Sequence, residues 1–249
     1  MSDTRPEVIA IIPTHMGSTR FPGKALAAET GRALVLHVAD AVQRSNAVSR
    51  VIVASENTEI AQACESAGIE HIITGQGHPN GSSRISEAAI GLHGDVILNV
   101  QGDEPEIEPG TIDATIAALI TDKDADVATA ATPLRDDDDP ADPNLVKVVT
   151  GLDGHALYFS RSLIPMNRDG ENTEYLRHIG LYAYRPATLA AYATLAPTPL
   201  ETAERLEQLR LLEHGYRITV AQVDAGHPGI DTAEQYQAFV TRWRARQAN

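Results

Sequence analysis

Short apolar runs alternate with segments of helical period through the first hundred residues. That alternation constrains the fold more than any other feature. Val8-Ile9-Ala10-Ile11-Ile12-Pro13 is too short for a free-standing helix and reads as a buried strand. Residues 34–45 then place Leu34, Val35, Val38, Ala41 and Val42 at helical spacing. Val51-Ile52-Val53-Ala54 reads as a second strand, and 59–67 as a helix closed by Gly68 as its C-cap. Residues 69–74 read as a strand, 82–92 as a helix, and Asp95-Val96-Ile97-Leu98-Asn99-Val100 as a strand. Strands alternating with helices predict an α/β fold with a largely parallel sheet. The later pattern differs. Val146-Lys147-Val148-Val149, Ala156-Leu157-Tyr158-Phe159 and residues 178–184 are strand-like and close enough to pair antiparallel. Residues 201–214 read as one helix, with Leu206, Leu209 and Leu212 on one side; 217–223 reads as a strand and 232–244 as a terminal helix. With 249 residues, the chain is expected to form a single domain over 1–249, its second half extending the sheet of the first.

Charge and composition exclude several functions. Twenty Lys and Arg against 34 Asp and Glu give −14. Such a chain is a poor coat for nucleic acid, which needs cations against phosphates, and a poor match to an anionic membrane surface. A small anionic ligand stays compatible, because a pocket can be positive within a negative shell. The stretch 122–142 holds eight acids against Lys123 and Arg135 and is expected to be a solvated loop. The single cysteine, Cys64, excludes an intrachain disulfide and a multi-cysteine metal site. No apolar stretch approaches 18 residues, and residues 1–7 lack a basic region followed by an apolar one. A cytoplasmic location is the expectation.

Chemistry concentrates at the strand ends. Pro13-Thr14-His15-Met16-Gly17-Ser18-Thr19-Arg20-Phe21-Pro22-Gly23-Lys24 follows a strand and precedes a helix, where ligands sit in open parallel sheets. Its glycines, the Ser18 and Thr19 hydroxyls, and the Arg20 and Lys24 cations suit a polyphosphate, although the spacing fits neither Gly-x-x-x-x-Gly-Lys-Ser/Thr nor Gly-x-Gly-x-x-Gly. A surface loop with solvated cations fits equally well. Asn99-Val100-Gln101-Gly102-Asp103-Glu104-Pro105 ends another strand. Its Asp103 suits Mg²⁺, which takes oxygen ligands and phosphate, and a plain polar turn is the alternative. In His78-Pro79-Asn80-Gly81-Ser82-Ser83-Arg84, the Arg84 cation opposes the dipole of a helix start, so it faces an anion or a salt-bridge partner. On a strand, His178, Gly180 and Tyr182 share one face, which suits either a polar ligand or a satisfied core histidine. Glu207, Gln208 and Asp231 are ambiguous: Asp231 is also a natural helix N-cap, and Glu207 a solvated acid.

Together these motifs resemble the 3-deoxy-manno-octulosonate (Kdo) cytidylyltransferases over nearly the whole chain. The resemblance runs through Ile12-Pro13, 18–24, 99–105, Asn144-Leu145-Val146-Lys147-Val148-Val149 and Ala156-Leu157-Tyr158-Phe159-Ser160-Arg161. It continues through Ile164-Pro165, 176–182, Leu206-Glu207-Gln208-Leu209-Arg210 and Gly229-Ile230-Asp231-Thr232. It implies a nucleotide-diphospho-sugar-transferase-like (Rossmann-like) α/β fold with an antiparallel dimerisation extension, CTP as substrate, Mg²⁺ as cofactor and a homodimer. The nucleotide-binding half would be about 1–130, and the acceptor-binding and dimerisation half about 131–249. By the same resemblance Arg20 and Lys24 hold the CTP phosphates, with Pro13, Ser18, Arg84 and Gln101 also on the nucleotide side. Asp103 and Asp231 bind Mg²⁺ and are catalytic together with Lys24. Gln101, Arg161, His178, Tyr182, Glu207 and Gln208 surround the acid-sugar pocket. Arg20, Lys24, Arg84 and Arg161 would then form a cationic pocket. The chain departs from the family where Pro13-Thr14-His15 replaces Pro-Ala-Arg, where Ser83 replaces Glu, and where Gly77 replaces an Asp before the histidine. The implied reaction is attack of an acceptor oxygen on the α-phosphorus of CTP, with loss of pyrophosphate. Kdo leads as acceptor. An amino-Kdo, a sialic-type sugar or a phosphonate such as phosphonoformate is the alternative, and a non-catalytic CTP-binding regulator the remote one.

Overall fold

The computed structural model describes residues 5–135, 138–170, 173–224 and 229–247. The first apolar run forms β1 (Val8–Pro13), buried at all six positions, as continuous apolar sequence requires of a strand covered on both faces. It pairs in parallel with β2 (Arg50–Ser55) on one side and β4 (Val96–Val100) on the other, and β3 (Glu70–Ile73) extends β2, also parallel. Then β8 (Leu176–Tyr184) enters antiparallel between β4 and β5 (Val127–Pro133), and β9 (Ile218–Gln222) pairs parallel with β5. The resulting order is β3-β2-β1-β4-β8-β5-β9, with β6 (Lys147–Thr150) and β7 (Ala156–Ser160) forming an antiparallel pair attached to β8. The expected α/β sheet with an antiparallel extension is therefore present.

Alternation along β1 divides the core. Val8, Ala10 and Ile12 pack on one face with α1 (Leu34–Gln43) and α4 (Pro109–Thr121), while Ile9 and Ile11 pack on the other near α3 (Gly81–Ala88) and α5 (Pro186–Tyr192). α2 (Thr58–Ala67) begins at Asn57, whose side chain accepts from the amides of Glu59 and Ile60, and ends at Gly68 with φ 69°, as the sequence predicts. The last helix, α8 (Ala233–Gln247), buries Tyr236, Phe239 and Val240 beside Leu34 and Ile230.

Two expectations are corrected. The predicted helix over 201–214 is two helices, α6 (Pro199–Glu204) and α7 (Gln208–Glu213), separated at Arg205 with φ 53°. The break follows from tertiary contacts. Arg161 draws the carbonyls of Glu204 and Arg205 to its guanidinium (2.8 and 3.4 Å), and the Glu204 carboxylate accepts from Ser160 Oγ (2.6 Å) and the Arg161 amide (2.9 Å). The acidic stretch 122–142 is also not one solvated loop. It contains β5, whose small uncharged residues are almost all buried between β8 and β9. The acids lie at the strand's ends, where Asp122 holds His155 Nε2 at 2.7 Å; Asp136 and Asp137 lie outside the described residues.

Candidate active site

The loops after β1 and β4 touch at their bases. A Cβ on Gly102 would stand 2.9 Å from the Pro13 carbonyl oxygen, so glycine is required there for the close approach. Gly23 adopts φ 72° and turns the chain into a single 3₁₀ turn, Lys24–Leu26, that directs Lys24 inward. The amide of Ile230 donates to the carbonyl of Asp103 at 2.8 Å, so the segment before α8 is fastened to the β4 loop. Lys24 Nζ lies 2.7 Å from Asp103 Oδ2, 3.3 Å from Asp231 Oδ1 and 2.9 Å from the Ile230 carbonyl, and Arg20 Nη2 lies 2.9 Å from Asp231 Oδ2. Asp231 is not spent as a helix cap. Gln235 Oε1 accepts from the amides of Asp231 (2.7 Å) and Thr232 (3.0 Å), and Thr232 Oγ1 accepts from the Gln235 amide at 3.3 Å.

Two carboxylates and a carbonyl therefore converge on one cation, an all-oxygen donor set that fits a hard divalent ion. Among the described residues no group of three or more His, Cys, Asp or Glu gathers as a metal set. The remaining ligands of such an ion would be water and phosphate, as is usual for Mg²⁺. Next to Asp103, Glu104 has its pKa pushed up to about 8 by burial, with the charges of Asp103 and Asp231 adding to the effect.

Two cavities open here. One, of about 350 Å³, is lined by Arg20, Asp103, Asp231, Asn144, Arg177 and His178 among others. The second, of about 300 Å³, is lined by residues including Pro13, His15, His78, Asn80, Arg84 and Gln101. Gln101 packs against Gly81 and Gly180, where an added Cβ would stand 3.5 Å from its Nε2 and 3.6 Å from its Cγ.

The remaining residues singled out by sequence are placed as follows. Ser18 Oγ accepts from the Phe21 amide at 3.4 Å, and His15 is exposed with Nδ1 accepting from the Gly17 amide at 3.0 Å. Arg84 is buried, donates to Thr74 Oγ1 at 2.6 Å and pairs with Glu56, so the salt-bridge reading of this cation holds while it still lines the smaller cavity. His178 packs between Phe159 and Tyr182, and Thr129 Oγ1 lies 2.9 Å from its Nε2. Burial lowers its pKa to about 3, so the ring is neutral at physiological pH. Tyr182 is buried beneath it. Glu207 is not a solvated acid: it is half-buried, its Oε2 accepts from the Ser82 amide at 3.2 Å in the first turn of α3, and burial raises its pKa. Gln208 is buried at the start of α7, and its Nε2 has no hydrogen-bond partner among the described residues. Arg161 lies outside the lining of both cavities, its guanidinium on the carbonyls of Pro143, Glu204 and Arg205.

The expected cationic pocket is thus not formed as such: Arg20, Lys24 and Arg84 are each paired with a carboxylate, and Arg161 lies apart from them on backbone carbonyls. Asn144, Arg177 and Glu104 line the larger cavity without having been singled out by sequence, although all three lie inside motifs that were quoted. Asn80 caps α3 by accepting from the Ser83 amide at 2.9 Å and donates to Tyr192 Oη at 2.9 Å.

A neutral, half-buried His178 makes stability pH-dependent. Its folded pKa, about 3, lies below the unfolded value of about 6.5, so in that window the unfolded chain binds a proton that the folded chain does not. Its contribution is intact above about pH 6.5 and is lost progressively as pH falls toward 3. Urea midpoints at pH 7.5 and 5.0 should fall further for the wild type than for His178→Gln; equal falls would contradict the assignment.

Cations after β1 and the Asp103 carboxylate after β4, at the carboxyl ends of parallel strands with Asp231 brought beside them, suit a phosphate-bearing ligand of the kind nucleotidyltransferases bind. Comparison with known proteins agrees. The family described as Cytidylyltransferase matches residues 9–218. The 3-deoxy-manno-octulosonate cytidylyltransferase of Geobacter metallireducens is 43% identical over 247 residues, covering 95% of this chain and 97% of its own. The same-named protein of Protochlamydia amoebophila is 40% identical, covering 97% and 95%, and that of Neisseria gonorrhoeae 43%, covering 92% and 94%. Among solved structures, a CMP:2-keto-3-deoxy-manno-octonic acid synthetase complexed with CTP superposes with a TM-score of 0.92 at 34% identity, covering 96% of this chain and 99% of that one. A 4-diphosphocytidyl-2C-methyl-D-erythritol synthase from Anaerococcus prevotii, at 15% identity and a TM-score of 0.63 over 97% and 100% of the two chains, shares the fold. The chain belongs to the cytidylyltransferase family, and within it to the 3-deoxy-manno-octulosonate cytidylyltransferases.

Proposed function

We propose that this chain transfers CMP from CTP to Kdo, releasing pyrophosphate, in the cytoplasm and as a step toward lipopolysaccharide. The observation that carries this reading is the convergence of Asp103, Asp231, Lys24 and Arg20, of which Asp103, Asp231 and Arg20 line the larger cavity. The names of the relatives supply the acceptor. The acceptor hydroxyl attacks the α-phosphorus in line, a P–O bond forms, and the bond to the β-phosphate oxygen breaks as the hydroxyl proton is lost. Asp103 and Asp231 would hold Mg²⁺, which supplies Lewis-acid neutralisation of phosphate charge. Arg20 and Lys24 bind the triphosphate and stabilise the negative charge that gathers on the departing pyrophosphate. The smaller cavity, with Pro13, Arg84 and Gln101, takes the nucleoside end. His178 and Gln101 hydrogen-bond sugar hydroxyls, and a neutral His178 does so without adding charge beside an anionic acceptor. No covalent enzyme intermediate is needed, which leaves the buried Cys64 without a role in the reaction.

The test is pyrophosphate release with CTP, Mg²⁺ and a panel of acids. Kdo should be turned over at least tenfold more efficiently (kcat/KM) than an amino-Kdo, a sialic-type sugar or phosphonoformate. Preference for one of those would replace Kdo by it, and release with none would leave a CTP-binding regulator. A homodimer formed through the 131–249 half completes the proposal. It is supported by Leu152, Leu157, Leu163 and Met166, apolar side chains exposed on and beside the β6–β7 pair. Light scattering should give twice the 26.7 kDa chain mass; a monomer across the working concentration range would contradict it. No helix of the described residues is long and apolar enough to cross a membrane.

A further inference from the structure

The nucleotide cavity has a wall with little packing of its own. Gly77, His78, Pro79 and Asn80 line it, and among the described residues nothing lies within 4 Å of a Cβ added at Gly77, whose φ is 83°. Two side chains of α3, four residues apart and therefore on one helix face, stitch that segment down. Glu87 Oε1 accepts from the Gly75 amide at 2.9 Å, and its Oε2 lies 2.6 Å from His78 Nε2. Ser83 Oγ lies 3.2 Å from His78 Nδ1 and donates to the Asn80 carbonyl at 2.9 Å. His78 is thus gripped at both ring nitrogens.

The ring also divides two spaces. On one side is the 300 Å³ nucleotide cavity; on the other is a cavity of about 440 Å³ lined mainly by apolar groups such as Ile90, Leu92, Ile97 and Leu189. Empty room behind the ring lets it turn away from the nucleotide once its partners are removed. Glu87 lines only the rear space, so it does not meet the nucleotide itself.

We propose that Glu87 is a positioning residue for CTP: by holding His78 and the Gly75 amide it fixes the outer wall of the nucleotide cavity. The assignment rests on reading the smaller cavity as the nucleoside site. In support, the Glu87 carboxyl is held below the ordinary carboxylate range, first by the Gly75 amide and then by His78.

The test combines calorimetric titration of CTP with steady-state kinetics on Glu87→Ala, Glu87→Gln, His78→Ala and the double variant His78→Ala/Glu87→Ala. Loss of a charge-assisted hydrogen bond should weaken CTP binding about tenfold in Glu87→Ala, and less in Glu87→Gln, which keeps the shape. The KM for Kdo should change less than twofold. In the His78→Ala background the Glu87 change should cost less than half of its single-variant effect on a logarithmic scale, because the two act as a unit. Equal losses in the KM for CTP, the KM for Kdo and kcat would mark a general structural role and overturn the proposal. So would an unchanged CTP affinity in Glu87→Ala beside a binding wild type, or a full penalty in the His78→Ala background. A wild type that binds no CTP would overturn the functional reading and this assignment together.

Discussion

Asp103→Asn should lower kcat for CMP transfer about a thousandfold while leaving the fold intact. The substitution is nearly isosteric, and among the described residues the Asp103 carboxylate bonds to Lys24. What it removes is one of two anionic oxygen donors in a set that would hold a hard divalent cation. Charge neutralisation at a reacting phosphate contributes several kcal/mol to a transition state, and about 4 kcal/mol corresponds to a factor of about a thousand. Binding of Mn²⁺, followed by electron paramagnetic resonance without nucleotide, should weaken in parallel, and the far-ultraviolet circular dichroism should be unchanged. A variant that turns over CTP as fast as the parent at saturating Mg²⁺ would refute the metal assignment.

Lys24→Met should have two separable consequences. The first is chemical: the triphosphate loses a cation, and kcat/KM falls by about a hundredfold or more, the loss expected for a single electrostatic contact to transition-state charge. The second is structural. Lys24 lies between Asp103 and Asp231, and without it the two carboxylates face one another, with Asp231 still paired to the exposed Arg20. Removing one partner of a fully buried pair costs about 3–5 kcal/mol. Here Asp231 is 39% exposed, so water screens part of the repulsion and about 2 kcal/mol is expected. For a chain of this size that is roughly 4–8 °C in Tm. Added Mg²⁺ should then raise the Tm of the variant more than that of the wild type, since it would replace the lost positive charge. Equal shifts in the two proteins would contradict the shared location of ammonium and metal.

How much of this was legible in the sequence depends on how local each cause is. β1 was readable because a strand covered on both faces is an apolar run, β4 because it is apolar apart from Asn99, and α2 because Gly68 marks its end by local chemistry. α4 escaped notice although Ile112, Thr115, Ile116 and Leu119 repeat at helical spacing. β5 was concealed by its acidic flanks, which dominate the charge count while the seven residues between them carry none. The break between α6 and α7 has no local signal. It comes from Arg161, more than forty residues earlier, pulling carbonyls out of the helix. The site divides in the same way. Loops at strand ends, bearing glycine, cations and acid, were visible as candidates. The pairing of Lys24 with Asp231, 207 residues away, and of Arg84 with Glu56, was not. The resemblance to a family supplied what spacing could not: that Asp231 belongs with Asp103 rather than at a helix cap.

The most direct test of the central claim is phosphorus NMR of the protein incubated with CTP, Mg²⁺ and Kdo. The account predicts loss of the three triphosphate resonances, one new phosphodiester signal from CMP-Kdo, and pyrophosphate in equal amount. In Asp103→Asn the triphosphate signals should persist over the same interval. A wild-type sample in which CTP stays intact with Kdo, or yields its diester only with a different acid, would contradict it.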